Sequence, residues 1–193
     1  MASAAQAGGA DWIHLDIEDG VFVPTFTVGP RVIPGIRRVV RLPLEVHLQT
    51  VRPERWLEMI AGARPDRLIV HVEGADDVPR LLDQVRRFGL SVGVALLPES
   101  PVHLVEPYVK HVDLVTVVSA GPEDGEFQIG ALEKVRLLRG GGSDVEVDGG
   151  VTPQVMPLVS RAGASAVVAG RAIFSQGADR VAGAIAALRG AVP

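Results

Sequence analysis

Four residues of this chain have types and spacing suited to holding a divalent cation: His14 and Asp16 in "IHLDIEDG", His47 in "LEVHLQ" and Asp148 in "EVDGG". Side chains alternate across a strand, so Trp12, His14 and Asp16 share one face while Ile13, Leu15 and Ile17 share the other. The same parity sets Glu45, His47 and Gln49 opposite Leu44, Val46 and Leu48, and Glu146 and Asp148 opposite Val145 and Val147. If the apolar faces meet helices, the polar sets face a barrel interior, where an unpaired charge is heavily penalised by lost solvation. A divalent cation satisfies two imidazoles and two carboxylates together. All four lie at the C-terminal ends of their strands, where barrel active sites are built. The chain has no cysteine, so a metal must be held by His and carboxylates.

The elements that must position these residues are readable from hydrophobic periodicity. Seven short runs read as strands: "DWIHLDI", "PLEVHLQ", "DRLIVHV", "LSVGVALL", "DLVTVVSA", "DVEVDGG" and "ASAVVAG". Between them lie helical patterns: "GPRVIPGIRRVV", "RPERWLEMIAGA", "VPRLLDQVRRFG", "PVHLVEPYVKHV", "GALEKVRLLRG" and "PQVMPLVSRAG", with "GADRVAGAIAALRG" closing the chain. Spacings of roughly 20 to 30 residues suit βα units of a barrel, and no linker divides residues 1–193, so one domain is expected. A doubly wound open sheet has the same alternation. A complete barrel has eight strands, and "MASAAQAGGA" reads only as the last turns of a helix. The expectation is an open wall, a start further upstream, or a gap filled by a neighbouring subunit, which favours a homo-oligomer.

Composition narrows the partners. With 193 residues, 47% of them apolar, the chain can bury a substantial core. A formal charge of −4 without a basic stripe argues against nucleic acid. No apolar run approaches the roughly 18 residues of a membrane span, and the first dozen residues lack signal-peptide order. A cytoplasmic protein is expected.

Other polar residues have plainer readings. His71 in "IVHVE" reads as a hydrogen-bonded strand-end histidine, and His103 and His111 as residues of a surface helix. Asp19, before Gly20, reads as a turn residue. Gly149 and Gly150 in "DGGV" and Gly170 in "AGRAIF" expose backbone N–H groups after the last two strands, where many barrels hold a phosphate.

The runs "GADWIHLDIEDGVFVPTFTVGP", "LPLEVHLQTVRPERWLEMIAGA", "EVDGGV" and "AGRAIF" resemble ribulose-phosphate 3-epimerases, whose pattern runs roughly H-x-D-x-M-D-G-x-F-V-P-N, D-V-H-L-M, E-V-D-G-G and A-G-S-A-I-F. The similarity covers about residues 8–189 in consistent order. It implies a TIM (β/α)8-type barrel, here lacking its first strand. The implied activity is that of an isomerase of pentose phosphate metabolism that interconverts D-ribulose 5-phosphate and D-xylulose 5-phosphate with a divalent metal such as zinc, iron, manganese or cobalt. The resemblance makes His14, Asp16, His47 and Asp148 the metal ligands, and Asp16 and Asp148 also the acid/base pair. Inverting a carbon beside a ketone requires one group to remove its proton and another to return one to the opposite face.

The chain departs from the family pattern around the metal. Glu18, Gln49 and Val118 stand where typical members have methionines, so Glu18 is expected to contact the metal or a substrate hydroxyl, unless it turns to solvent, and Gln49 to face the substrate. The loop Gly121–Phe127, "GPEDGEF", replaces a longer glycine-rich one and carries three acidic residues that would repel a phosphate. Arg171 replaces a small Ser and offers a guanidinium to a phosphate or carboxylate. The strand missing from this chain normally supplies a Ser to the substrate pocket. The expected function is epimerisation at C3 of a ketose phosphate. The alternatives are an epimerase for another sugar, such as a ketohexose phosphate or a biosynthetic intermediate, and a non-catalytic binding or regulatory barrel.

Overall fold

A computed structural model describes residues 1–121 and 125–193. Seven parallel strands curl into one sheet in sequence order: β1 (Ile13–Glu18), β2 (Leu44–Gln49), β3 (Arg67–His71), β4 (Ser91–Leu96), β5 (Leu114–Val118), β6 (Asp144–Asp148) and β7 (Ala166–Val168). The helices are α1 (Ala2–Ala7), α2 (Ile33–Arg37), α3 (Leu57–Gly62), α4 (Val78–Arg87), α5 (Ala131–Leu138), α6 (Met156–Ala162), α7 (Gly170–Phe174) and α8 (Val181–Gly190). This is a TIM-type barrel short of one strand. Among the described residues β7 and β1 are not paired, and the wall is open between them.

Parity decides where the core sits. Leu44, Val46, Leu48, Leu68, Val70, Val92, Val94, Leu96, Val115, Val117, Val145 and Val147 form the buried layer under the helices. Their strand neighbours point inward, and there the only apolar cluster of the described residues is Ile69, Ala95 and Leu114. The rest of the buried interior is polar: Glu45, His47, Gln49, His71, Thr116 and Glu146. Gly93 sits among the three apolar side chains because a Cβ there would stand 2.8 Å from Ile69 Cγ1.

Helix α1 lies against α8 so closely that a Cβ on Gly8 would meet the Ala182 backbone at 2.9 Å. Arg189 Nη2 donates to Gly9 O and to Asp11 Oδ2, both at 2.7 Å, which ties the two ends of the chain together.

Several expected elements are shorter than their periodicity suggests. The run 101–112 is not an α-helix but two 3₁₀ turns, Val102–Leu104 and Val109–His111. Pro107 has no N–H to donate and biases Glu106 away from helical geometry, so the segment breaks where an amphipathic pattern would have continued. His103 and His111 are exposed, on these turns. The last strand spans only Ala166–Val168 because the chain turns into α7 at Gly170.

Candidate active site

The curl of the sheet brings the four chemically suited residues, from β1, β2 and β6, into one group. Asp16 is level with His47 in the β1–β2 ladder, and His14 with Glu45. His47 Nδ1 lies 3.2 Å from Asp16 Oδ1 and 3.1 Å from Asp148 Oδ2. His14 Nε2 lies 3.3 Å from Asp16 Oδ1 and 3.8 Å from Asp148 Oδ2. One ligand atom from each of His14, Asp16, His47 and Asp148 falls within 4.8 Å of all the others. Ligands about 2.1 Å from a tetrahedral ion stand about 3.4 Å apart, so the observed spacing fits a divalent cation with little rearrangement.

The electrostatics match that donor set. Burial alone would lower the His14 pKa, but Asp16, Glu45 and Asp148 raise it well above its ordinary value. His47, buried but facing Asp148 and Asp16, is raised to about 9. Burial would raise Asp16, yet the two imidazoles hold it well below the usual carboxylate range. The carboxylates therefore attract positive charge to this spot, which protons or a metal can supply.

A second polar layer lies beneath. Glu45 accepts from His14 Nδ1 at 3.1 Å through Oε1 and from Arg67 Nη1 at 3.0 Å through Oε2. The Arg67 guanidinium in turn covers the Trp12 ring at 4.4 Å. Thr116 donates its hydroxyl to Glu146 Oε1 at 2.9 Å. Burial, with Glu45 and Asp148 nearby, pushes Glu146 up to about 8, so it serves as a neutral acid beside the ionised Glu45. His14, Glu45 and Glu146 also have ligand atoms close together, but Arg67, Thr116 and the carboxyl–carboxylate contact already match those oxygens.

The remaining expected site residues are placed as follows. Gln49 is buried and donates its amide to Asp16 Oδ1 at 2.9 Å. Glu18 stands outside the four-residue ligand group, its carboxyl raised by burial, and Oε2 is buried without a hydrogen-bond partner among the described residues. Asp19 is a turn residue: Oδ1 accepts from the Val21 and Phe22 N–H groups and Oδ2 from that of Val51. Gly149 and Gly150 take φ of 104° and 67° after β6, and a Cβ on Gly150 would stand 2.5 Å from the Phe127 nitrogen. Gly170 opens α7, and the exposed Arg171 lies over Gly125. Within the acidic loop Gly121–Phe127, residues 122–124 lie outside the described residues. Arg67, Thr116 and Glu73 were given no role by sequence reasoning; a same-parity pair, His71 and Glu73 in "VHVE", was the available signal for the last of them.

Parallel strands curled around a polar mouth define a class of barrel enzyme, and solved structures agree on the fold. The chain superposes on 3-hexulose-6-phosphate synthase with a TM-score of 0.74 at 20% identity, covering 100% of this chain and 95% of that one. For 3-keto-L-gulonate-6-phosphate decarboxylase from Vibrio cholerae the TM-score is 0.75 at 16% identity, covering 98% and 88%. Sequence comparison is more specific. The family model for the ribulose-phosphate 3 epimerase family matches residues 1–174. The ribulose-phosphate 3-epimerase of Bacillus subtilis is 38% identical over 194 residues, covering 96% of this chain and 88% of the relative. That of Synechocystis sp. is 39% identical over 196 residues, covering 96% and 84%. The chain belongs to the ribulose-phosphate 3-epimerase family and is an isomerase. No helix among the described residues is long and apolar enough to cross a membrane.

Proposed function

We propose that the chain epimerises a ketose phosphate at C3, with D-ribulose 5-phosphate as substrate and D-xylulose 5-phosphate as product. The observation that carries this reading is the convergence of Asp16 and Asp148, from β1 and β6, on one imidazole nitrogen. One carboxylate takes the C3 proton, and the C–H electron pair becomes the C2–C3 double bond of an enediolate. The other, protonated, returns a proton to the opposite face of C3 as the ketone re-forms, so the reaction is redox-neutral. His14, Asp16, His47 and Asp148 would hold a divalent ion, which supplies Lewis-acid stabilisation of the developing oxygen charge. Gly149, Gly150, Gly170 and Arg171 are assigned to the phosphate; their clustering after β6 and β7 supports that placement.

Incubation of metal-loaded protein with D-ribulose 5-phosphate in deuterated water is expected to give xylulose 5-phosphate carrying deuterium at C3, with loss in Asp16→Asn and in Asp148→Asn. Absence of exchange in the parent protein refutes the assignment. A second reading, a different ketose phosphate, is favoured by the polar groups Gln49 and Glu18 beside Asp16. Exchange with a ketohexose phosphate exceeding that with the pentulose would select it.

A further inference from the structure

His71 and Glu73 lie behind the proposed ligand His47 and have no part in the chemistry above. The His71 ring meets the His47 ring edge to edge. Their Nε2 atoms are 2.9 Å apart, the centroids 4.9 Å apart, and the planes differ by 17°. Two nitrogens at that distance hold one proton between them, so one ring donates and the other accepts. On the far side of His71, Nδ1 is 3.2 Å from Glu73 Oε2. Glu73 Oε1 is occupied by the Leu97 N–H at 2.8 Å. Phe22 covers the His71 ring at 4.8 Å, and His47 and His71 are both buried.

We propose that Glu73, acting through His71, fixes the tautomer in which His47 offers Nδ1 to a metal. The inference rests on the four-residue metal site proposed above. If His47 Nδ1 is bound to an ion, the ring proton is on Nε2 and needs an acceptor. His71 Nε2 is the only group placed there among the described residues. His71 can accept only if its own proton sits on Nδ1, and that proton needs an acceptor in turn, which Glu73 Oε2 supplies. Glu73 and His71 are thus positioning residues, one ring removed from the metal site.

The substitution Glu73→Gln tests the direction of this relay. Because the Leu97 N–H must still be accepted, the Gln carbonyl stays on that side and the amide NH₂ faces His71 Nδ1. Every donor in the chain then reverses, and the His47 proton moves to the metal-facing nitrogen. Zinc affinity, measured by competition with a chromophoric chelator, is expected to fall about 10- to 100-fold in Glu73→Gln. Imidazole ¹⁵N–¹H spectra of zinc-loaded parent protein are expected to place the His71 proton on Nδ1 and that of His47 on Nε2. In the variant the His71 proton is expected on Nε2. An unchanged zinc affinity in a folded variant, or a His71 proton on Nε2 in the parent, overturns this inference alone. Failure of the parent protein to bind zinc overturns both it and the metal site. If the variant does not fold, the parent spectra decide.

Discussion

Arg67 is the residue whose removal should reveal what the layer beneath the site contributes. Its guanidinium meets Glu45 Oε2 at 3.0 Å, with side-chain exposures of 14% and 3%, so the pair is almost entirely out of water. At an effective dielectric of about 20 the attraction at that distance is roughly 5–6 kcal/mol, and desolvation of two ions takes back much of it. Removing one partner is the costly perturbation, because Glu45 keeps its charge and its hydrogen bond to His14 while losing its counterion. Arg67→Met keeps the stem over Trp12 and removes only the charge. A loss of about 3–5 kcal/mol is expected, or about 6–20 °C in Tm for a chain of this size. Urea denaturation of metal-free protein measures it, and a double-mutant cycle with Glu45→Gln isolates the pair. The sum of the two single losses should exceed the loss measured in the double variant by more than about 1 kcal/mol, since the residues touch. A loss below about 1 kcal/mol for Arg67→Met, or strict additivity, would refute the claim that this pair supports His14 from below.

Three further outcomes follow from other contacts. Burial alone would raise Glu73, but His71, Ser100 and the Leu97 N–H hold it at about 2 in the folded chain. The stabilisation is present above about pH 4.5 and is lost as pH falls towards 2; between pH 6 and pH 3 stability should drop by about 1 kcal/mol more in the parent than in Glu73→Gln, the full linkage value of about 2 kcal/mol being roughly halved for solvent screening. Gln49→Met removes a donor from Asp16 Oδ1, and the expected result is a carboxylate about 1.5–3 kcal/mol less well held, read as lower metal-free stability by urea denaturation; no change would mean that the Gln49 amide does not bind Asp16 in solution. Lys134 Nζ donates to the carbonyls of Leu97, Pro98 and Ser100 at 2.9, 2.6 and 2.6 Å, so Lys134→Met should loosen that segment, seen as faster amide exchange at Leu97.

Inward and outward faces were legible because side-chain parity is a local property. His14, Asp16, Glu45, His47, Gln49, Glu146 and Asp148 all lie on the face that alternation assigns, and the missing strand appears as the open β7–β1 seam. What local pattern cannot carry is register. That His47 is level with Asp16, and His14 with Glu45, depends on the β1–β2 pairing, and the meeting of His47 with His71 depends also on rotamers. The Gln49 amide reaches Asp16 Oδ1 through the same pairing, a contact that no local pattern carries. The segment 101–112 failed for a different reason. Its apolar spacing is helical, but Pro107 removes a donor in the middle of the pattern, and periodicity does not count donors.

The polar interior also explains why the proposed ligand set can be rigid in an open barrel. Among the described residues only Ile69, Ala95 and Leu114 form an apolar plug, so most inward side chains cannot be held by packing. They must be held by directed bonds, and an unsatisfied member would cost more than an apolar replacement. Each proposed ligand imidazole is therefore fixed at both nitrogens: His14 between Glu45 and Asp16, and His47 between His71 and the pair Asp16 and Asp148. A ring held at both ends cannot turn without breaking two bonds. Both imidazoles are thus held against Asp16 and Asp148 at near-ligand spacing by the network beneath them, which β2, β3, β5 and β6 supply through Glu45, Arg67, His71, Thr116 and Glu146. These strands lie away from the seam between β7 and β1, so an incomplete wall leaves the support of the ligands intact.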